Sequence, residues 1–259
     1  MKHSKIKILI AVLTVFSLSV NAATKTSTTS GNWASVTWSP SGVPANTDDV
    51  IIATGTTVEI AASVTQTTGT VTINSGATLS ANSSSATPTF GALTINSGGL
   101  LTMNRDLTVL GATSISGTVN FGSTSGAVRL NVFTGSVTLN SGAVWNETVT
   151  GAIPTFSFGN SFTNNATTFT ALSGLHSFTG AGMTISGTTI TSIPNVAITG
   201  TYTNNKTLTL GTALSGAGGL TNAATGVLNI GGTSLITTLT SNAVGSIVNY
   251  IGGTQIIKG

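Results

Sequence analysis

The chain contains no cysteine, only two histidines, and charged and aromatic residues at 5% each. Without cysteine there are no disulfides, no thiolate nucleophile and no Cys-ligated metal centre, and position 23 offers no lipoprotein anchor. With His3 and His176 alone, a His-rich metal site is excluded. Charge is far below the rough quarter of residues usual in soluble domains. Lys2, Lys5 and Lys7 lie at the extreme N-terminus. The five other basic residues, Lys25, Arg105, Arg129, Lys206 and Lys258, are scattered and are matched by Asp48, Asp49, Glu59, Asp106 and Glu147. The chain after residue 22 is therefore formally neutral with no basic cluster, which excludes nucleic-acid binding through phosphates and electrostatic membrane attachment. Long apolar runs are also missing, apart from Ile8 to Val20. That run follows the three lysines and ends at Val20-Asn21-Ala22, so residues 1–22 read as a signal peptide cleaved after Ala22, with no membrane span beyond it.

Thr, Ser, Asn and Gly take the place of charge, and one phrase recurs in register: Val71-Thr-Ile-Asn-Ser-Gly-Ala77, Leu93-Thr-Ile-Asn-Ser-Gly-Gly99 and Val137-Thr-Leu-Asn-Ser-Gly-Ala143. The interval from Asn96 to Asn140 is twice the interval from Asn74 to Asn96. A fixed period of this size marks coils that bury their apolar faces only by stacking. Alternation places Ile73, Ile95 and Leu139 inward and Thr72, Thr94 and Thr138 outward, with Gly76, Gly98 and Gly142 at turns. Ile115 to Phe121 fits the coil missing between Asn96 and Asn140. Phe162-Thr-Asn-Asn165 returns as Tyr202-Thr-Asn-Asn205, about two coils on, and Ala171-Leu-Ser-Gly174 returns as Ala213-Leu-Ser-Gly216. We therefore expect an all-β, parallel β-solenoid with coils of about 20–24 residues. A β-sandwich, the competing fold, does not require recurring columns at a constant step.

Residues 23–52 differ from the rest, with Trp33, Trp38, Pro40, Pro44 and the Asp48-Asp49 pair. They read as an N-terminal cap and first strand, covering the apolar face and backbone edge that a first coil would expose. Residues 53–259 read as the coils. Gly31-Asn-Trp33, Thr37-Trp38, Gly42-Val-Pro44 and Asp48-Asp-Val-Ile51 resemble the opening of secreted β-strand-repeat surface proteins of Bacteroidetes, and of G8-like and autotransporter-like proteins. The resemblance implies a right-handed β-helix on an extracellular, adhesive or structural protein. Val248-Asn-Tyr250 and Thr254-Gln-Ile-Ile257 resemble a segment that leads into another strand in such proteins. The C-terminal end is therefore expected to be uncapped, in a truncated or short member lacking a sorting domain, and prone to end-to-end self-association.

Candidate chemistry is sparse. His176 is expected at the surface or in a turn, and neither Ser173 nor Ser177 lies in a Gly-x-Ser-x-Gly elbow. Asp48 and Asp49 alternate faces if extended, so one is expected to cap the first coil by accepting backbone N–H bonds, with a calcium site as the alternative. Asp106 is expected to form a solvated pair with Arg105, and Glu59 and Glu147 stand alone in sequence. Carbohydrate-active β-helices need several acids on one face. An ice-binding face would need two adjacent Thr columns, yet Thr70, Ala92 and Ser136 fail to supply the second. Trp33 and Trp38 are expected to be buried in the cap, with a sugar-stacking platform as the alternative. Asn74, Asn96 and Asn140 are expected to form a self-satisfied ladder. No catalytic, cofactor-binding or metal residues and no cofactor are expected. The functional expectation is an exported, non-catalytic structural or adhesive component of a Gram-negative cell surface, meeting glycans or other surface proteins. The alternatives are a carbohydrate-binding or carbohydrate-active β-helix, and a fragment of a larger adhesin.

Overall fold

The computed structural model describes residues 22–82, 86–149, 151–253 and 255. Residues 1–21 of the expected signal peptide, and all but Gln255 of the expected last strand from Thr254 to Ile257, lie outside that set. The described residues form twenty-eight short strands and no helix. Almost every pairing is parallel, and the strands stack as a β-solenoid of about 11 turns.

Each full coil contributes three strands, one to each of three faces, and the inward side chains make columns along the solenoid. On one face Ile52, Ile73, Ile95, Ile115 and Leu139 are successive partners, all fully buried. A second face carries Phe90, Val109, Phe133, Phe158, Phe178 and Ile198. The third carries Val58, Leu79, Leu101, Val119, Trp145 and Phe169. Alternating Val, Ile and Thr suits this geometry, because the β-branched side chain packs inward while Thr faces water. The turns follow from glycine: Gly76, Gly98 and Gly142 have φ of 69°, 79° and 87°, in the left-handed region that a Cβ disfavours.

Coil length varies more than the repeated phrase suggests. Ile95 pairs with Ile115 and Ile115 with Leu139, so the first of these coils is shorter than the Asn74-to-Asn96 interval and the second is longer. Two unequal coils thus sum to the doubled interval, and Ile115 to Phe121 occupies the missing coil as expected. Thr72, Thr94 and Thr138 are outward and half-buried, with Ser114 completing their column. The Phe162 and Tyr202 phrases lie two coils apart but out of register: Phe162 stacks on Ile185 and, beyond it, on Asn204, whereas Tyr202 stacks on Met183. The second long repeat is out of register: Ala213 stacks on Asn195 and, beyond it, on Leu175, not on Ala171.

The third face is interrupted once. Its ladder runs from Gly31–Asn32 to Thr168–Thr170. The next strand on that side, Thr191–Ile198, lies against Thr168–Thr170 but pairs onward with Thr207–Ser215. From there the coils shorten: Thr203 pairs with Thr221 and Asn204 with Asn222, a smaller step than any between the repeated phrases.

Candidate functional site

In the cap, Trp33 and Trp38 are 4% and 3% exposed, their rings 5.1 Å apart, and Trp38 Nε1 donates to the Trp33 carbonyl at 3.0 Å. The pair is packed core, as a cap requires. The strand Thr24–Ser27 runs antiparallel to Trp38–Ser39 and parallel to Asp49–Ile52, closing the first coil. Asp48 is buried, and its two carboxylate oxygens accept Ala23 N at 2.9 Å and Ala45 N at 2.8 Å. Asp49 Oδ1 accepts Thr70 N at 2.7 Å. These oxygens face hydrogens, where a cation would need their lone pairs. Among the described residues no three His, Asp or Glu side chains gather closely enough to hold a metal ion.

Beside Trp33 opens a cavity of about 390 Å³. Trp33, Val43, Pro44 and Val64 form its apolar wall, and Asn32, Ser35 and Gln66 are among its polar lining residues. No charged residue lines it. One side is braced by Asn32, whose carbonyl accepts Ser35 N and Val36 N, both at 2.8 Å. The other is braced by the Asp48 bonds and by Thr67 N, which donates to the Asn46 carbonyl at 2.9 Å. Gln66 is 1% exposed; its Nε2 reaches the Pro44 carbonyl at 3.4 Å, and its Oε1 has no hydrogen-bond partner.

Two sequence expectations are corrected in the core. His176 is not at the surface and Glu147 is not alone: both side chains are fully buried, and His176 Nε2 lies 2.8 Å from Glu147 Oε1. Glu147 stacks on Phe121 in the column of Ala81 and Met103, while His176 sits between Phe156 and Val196. His176 Nδ1 donates to the Gly174 carbonyl at 2.9 Å, Trp145 Nε1 donates to Glu147 Oε1 at 3.1 Å and Leu172 N donates to Oε2 at 2.7 Å. The His176 ring stacks on Phe156 at 4.9 Å. With every donor and acceptor of the group occupied among aromatic rings, the pair pins neighbouring coils together. The missed signal was parity: Glu147 shares Trp145's face of its strand, and His176 shares that of Phe178.

Arg105 is likewise buried rather than solvated. Its guanidinium donates to the carbonyls of Asn104, at 2.8 Å, and Asn82, while Asp106 Oδ1 accepts Leu130 N at 2.9 Å. Burial, with nearby Arg129, pushes the Arg105 pKa below its ordinary value.

The exposed Asn ladder is partial. Asn96 Nδ2 donates to Asn74 Oδ1 at 3.0 Å, but Asn140 Nδ2 turns to Ser114 and Ser116, both at 3.0 Å, because the intervening coil has Ser where the ladder needs Asn. A second, buried set escaped sequence reasoning. Asn164, Asn204 and Asn222 are all fully buried, and Asn204 Nδ2 donates to Asn222 Oδ1 at 2.8 Å. Beside them Lys206 is 6% exposed, its Nζ donating to the carbonyls of Asn164, at 3.3 Å, and Thr189. Desolvation pushes the Lys206 pKa down to about 8. The Asn164 carbonyl also accepts Thr189 N at 3.0 Å, so the ammonium adds a second donor to a backbone bond that already joins neighbouring coils.

The threonine columns are also broader than the repeats indicate. Thr184, Thr203, Thr221 and Thr240 are consecutive partners in the late coils, whereas the equivalent position upstream passes from Thr70 to Ala92. Two unbroken adjacent threonine columns do not run the length of any one face. Comparison with protein-family models, curated proteins and solved structures finds no match to this chain.

Proposed function

We propose that this chain is an exported, non-catalytic β-solenoid that serves as a structural or adhesive component of a bacterial cell surface, of the Bacteroidetes repeat-protein type. The observation that carries the reading is how the reactive side chains are used. Asp48, Asp49, Asp106 and Glu147 all accept N–H bonds that hold coils or turns, and His176 is sealed in the core. The outward residues supply hydrogen-bonding ladders instead, such as Asn249 Nδ2 donating to Asn229 Oδ1 at 2.8 Å and Asn229 Nδ2 to Thr209 Oγ1 at 3.1 Å. A long, neutral, amide- and hydroxyl-rich surface suits many weak contacts with surface glycans or proteins. The basic start and apolar run of residues 1–22 support export.

The test is to express the whole chain with its leader in a Gram-negative host, probe protease accessibility on intact cells, and measure adhesion of the purified chain at low and high ionic strength. We expect a mature N-terminus at Ala23, surface exposure, and adhesion that changes little with salt, since no charge cluster exists to be screened. Retention in the cytoplasm, or loss of adhesion by about tenfold or more between roughly 0.01 and 1 M salt, would overturn the reading.

A further inference from the structure

We propose that the cap cavity beside Trp33 is a binding site for a neutral saccharide unit. The inference rests on the adhesive reading and narrows it to one pocket and one ligand class.

The lining selects the ligand. No charged side chain borders the cavity, so nothing there would balance the charge of an anionic or cationic group buried in it. Trp33, Val43 and Pro44 offer an apolar wall, while Asn32 and Gln66 offer planar amides. A pyranose ring has this dual character, with C–H groups on a face and hydroxyls around the rim. At about 390 Å³ the cavity falls within the range of small-molecule pockets. Such sites combine an apolar lining with a few placed polar groups.

Gln66 is the second, independent observation. Its side chain is buried, it belongs to the cavity lining, and Oε1 has no hydrogen-bond partner. Native folds seldom leave such an acceptor unpaired. Its Nε2 is held only by the long 3.4 Å bond to the Pro44 carbonyl. The terminal amide torsion of Gln has a broad profile, so a modest turn presents Oε1 to a donor in the cavity. A sugar hydroxyl supplies that donor. The cavity is also anchored to the fold on both sides, by the Asn32 turn and the Asp48 bonds, so the site is organised before a ligand arrives.

The experiment uses the full mature chain. Neutral oligosaccharides (glucans, xylans and N-acetylglucosamine oligomers) are screened on an array with heparin fragments as charged controls. The best neutral binder is then titrated by calorimetry and by tryptophan emission. The variants are Ala62→Trp, which fills the cavity from an exposed position, Gln66→Leu, which removes the acceptor, and Val43→Asp, which introduces a charge at an exposed rim residue. We expect binding by the parent chain with a shift in tryptophan emission. Ala62→Trp and Val43→Asp should weaken it by about tenfold or more. Gln66→Leu should weaken it by about threefold to tenfold, the worth of one hydrogen bond. Parent-like binding by both Ala62→Trp and Val43→Asp would place the site elsewhere and overturn the proposal while leaving the adhesive reading intact. Adhesion to cells without binding to any neutral saccharide would overturn the ligand class alone. A chain that adheres to nothing would overturn the adhesive reading and this proposal with it.

Discussion

From Val50 to Leu139 one face of the solenoid is lined inside by aliphatic residues with Thr113 as the one exception, whereas the same face further on carries Asn164, Asn204 and Asn222, all fully buried. The early coils are held by burial, which is non-directional and tolerates a short coil followed directly by a long one. The late coils are held partly by directional bonds. Asn222 Nδ2 alone donates to Gly226 O, Ser246 Oγ and Ile247 O at 2.9, 3.0 and 2.8 Å. Between the two regions lies an aromatic plug around Trp145, whose ring centroid is 4.7 Å from that of Phe121 and 5.4 Å from that of Phe156. The Glu147–His176 pair is set into that plug. Hydrocarbon columns give stability with loose register, and amide ladders give register at the risk of an unpaired group.

Ile95→Asp tests the early region most severely. A lone carboxylate in that column should cost at least about 4 kcal/mol and abolish the cooperative melt, while Thr94→Asp should change stability by less than about 0.5 kcal/mol. Circular dichroism melts of the two variants check this, and equal melting temperatures would reverse the facing assignment. In the aromatic plug, His176→Leu should cost about 3–5 kcal/mol, because Glu147 stays buried without its partner. Adding Glu147→Leu should recover part of that loss in urea unfolding. A single variant costing under about 1 kcal/mol would show the pair to be dispensable.

For the late region, the largest handle is pH. The folded-state Lys206 pKa is lowered to about 8 from an ordinary 10.5, so between those values the unfolded chain binds more protons and stability rises with pH. From pH 8 to 9.5 the gain should be about 1.5 kcal/mol, and Lys206→Met should remove it. Above about pH 10.5, where the Lys206 effect is spent, the sign reverses, because burial raises the Tyr202 pKa and the unfolded chain loses that proton first. Denaturant titrations at several pH values read both effects. Smaller still is the contrast between amides: Asn222→Ala should cost about 2 kcal/mol, and Asn96→Ala, on the exposed ladder, under about 1. Matching costs would mean that buried and exposed ladders hold the fold alike.

The parts of this comparison that were legible in the sequence are those where the phrase repeats. Ile73, Ile95 and Leu139 sit in one column because near-identical residues flank them, and the burial of the Trp33–Trp38 pair followed from what a first coil must hide, whereas the sequence left open which of Asp48 and Asp49 accepts backbone N–H bonds, and both do. The buried groups were not legible. Glu147 and His176 are 29 residues apart in sequence, a separation no single coil step suggests. Lys206 looked like one of several scattered charges, because the carbonyls of Asn164 and Thr189 that receive it come from preceding coils far away in sequence. The Ala171 and Ala213 repeat misled because coil shortening shifts the register between its two copies.

Unequal coils in a continuous parallel stack are the central claim, and disulfide trapping tests it most directly in a chain with no cysteine of its own. Parallel neighbours lie about 4.8 Å apart, within reach of a disulfide. The account predicts rapid cross-linking of Thr94→Cys with Ser114→Cys in the early coils, and of Thr203→Cys with Thr221→Cys in the late ones. Cross-linking of Thr94→Cys with Ser116→Cys in preference to Ser114→Cys, as a constant step equal to that from Asn74 to Asn96 would require, would contradict it.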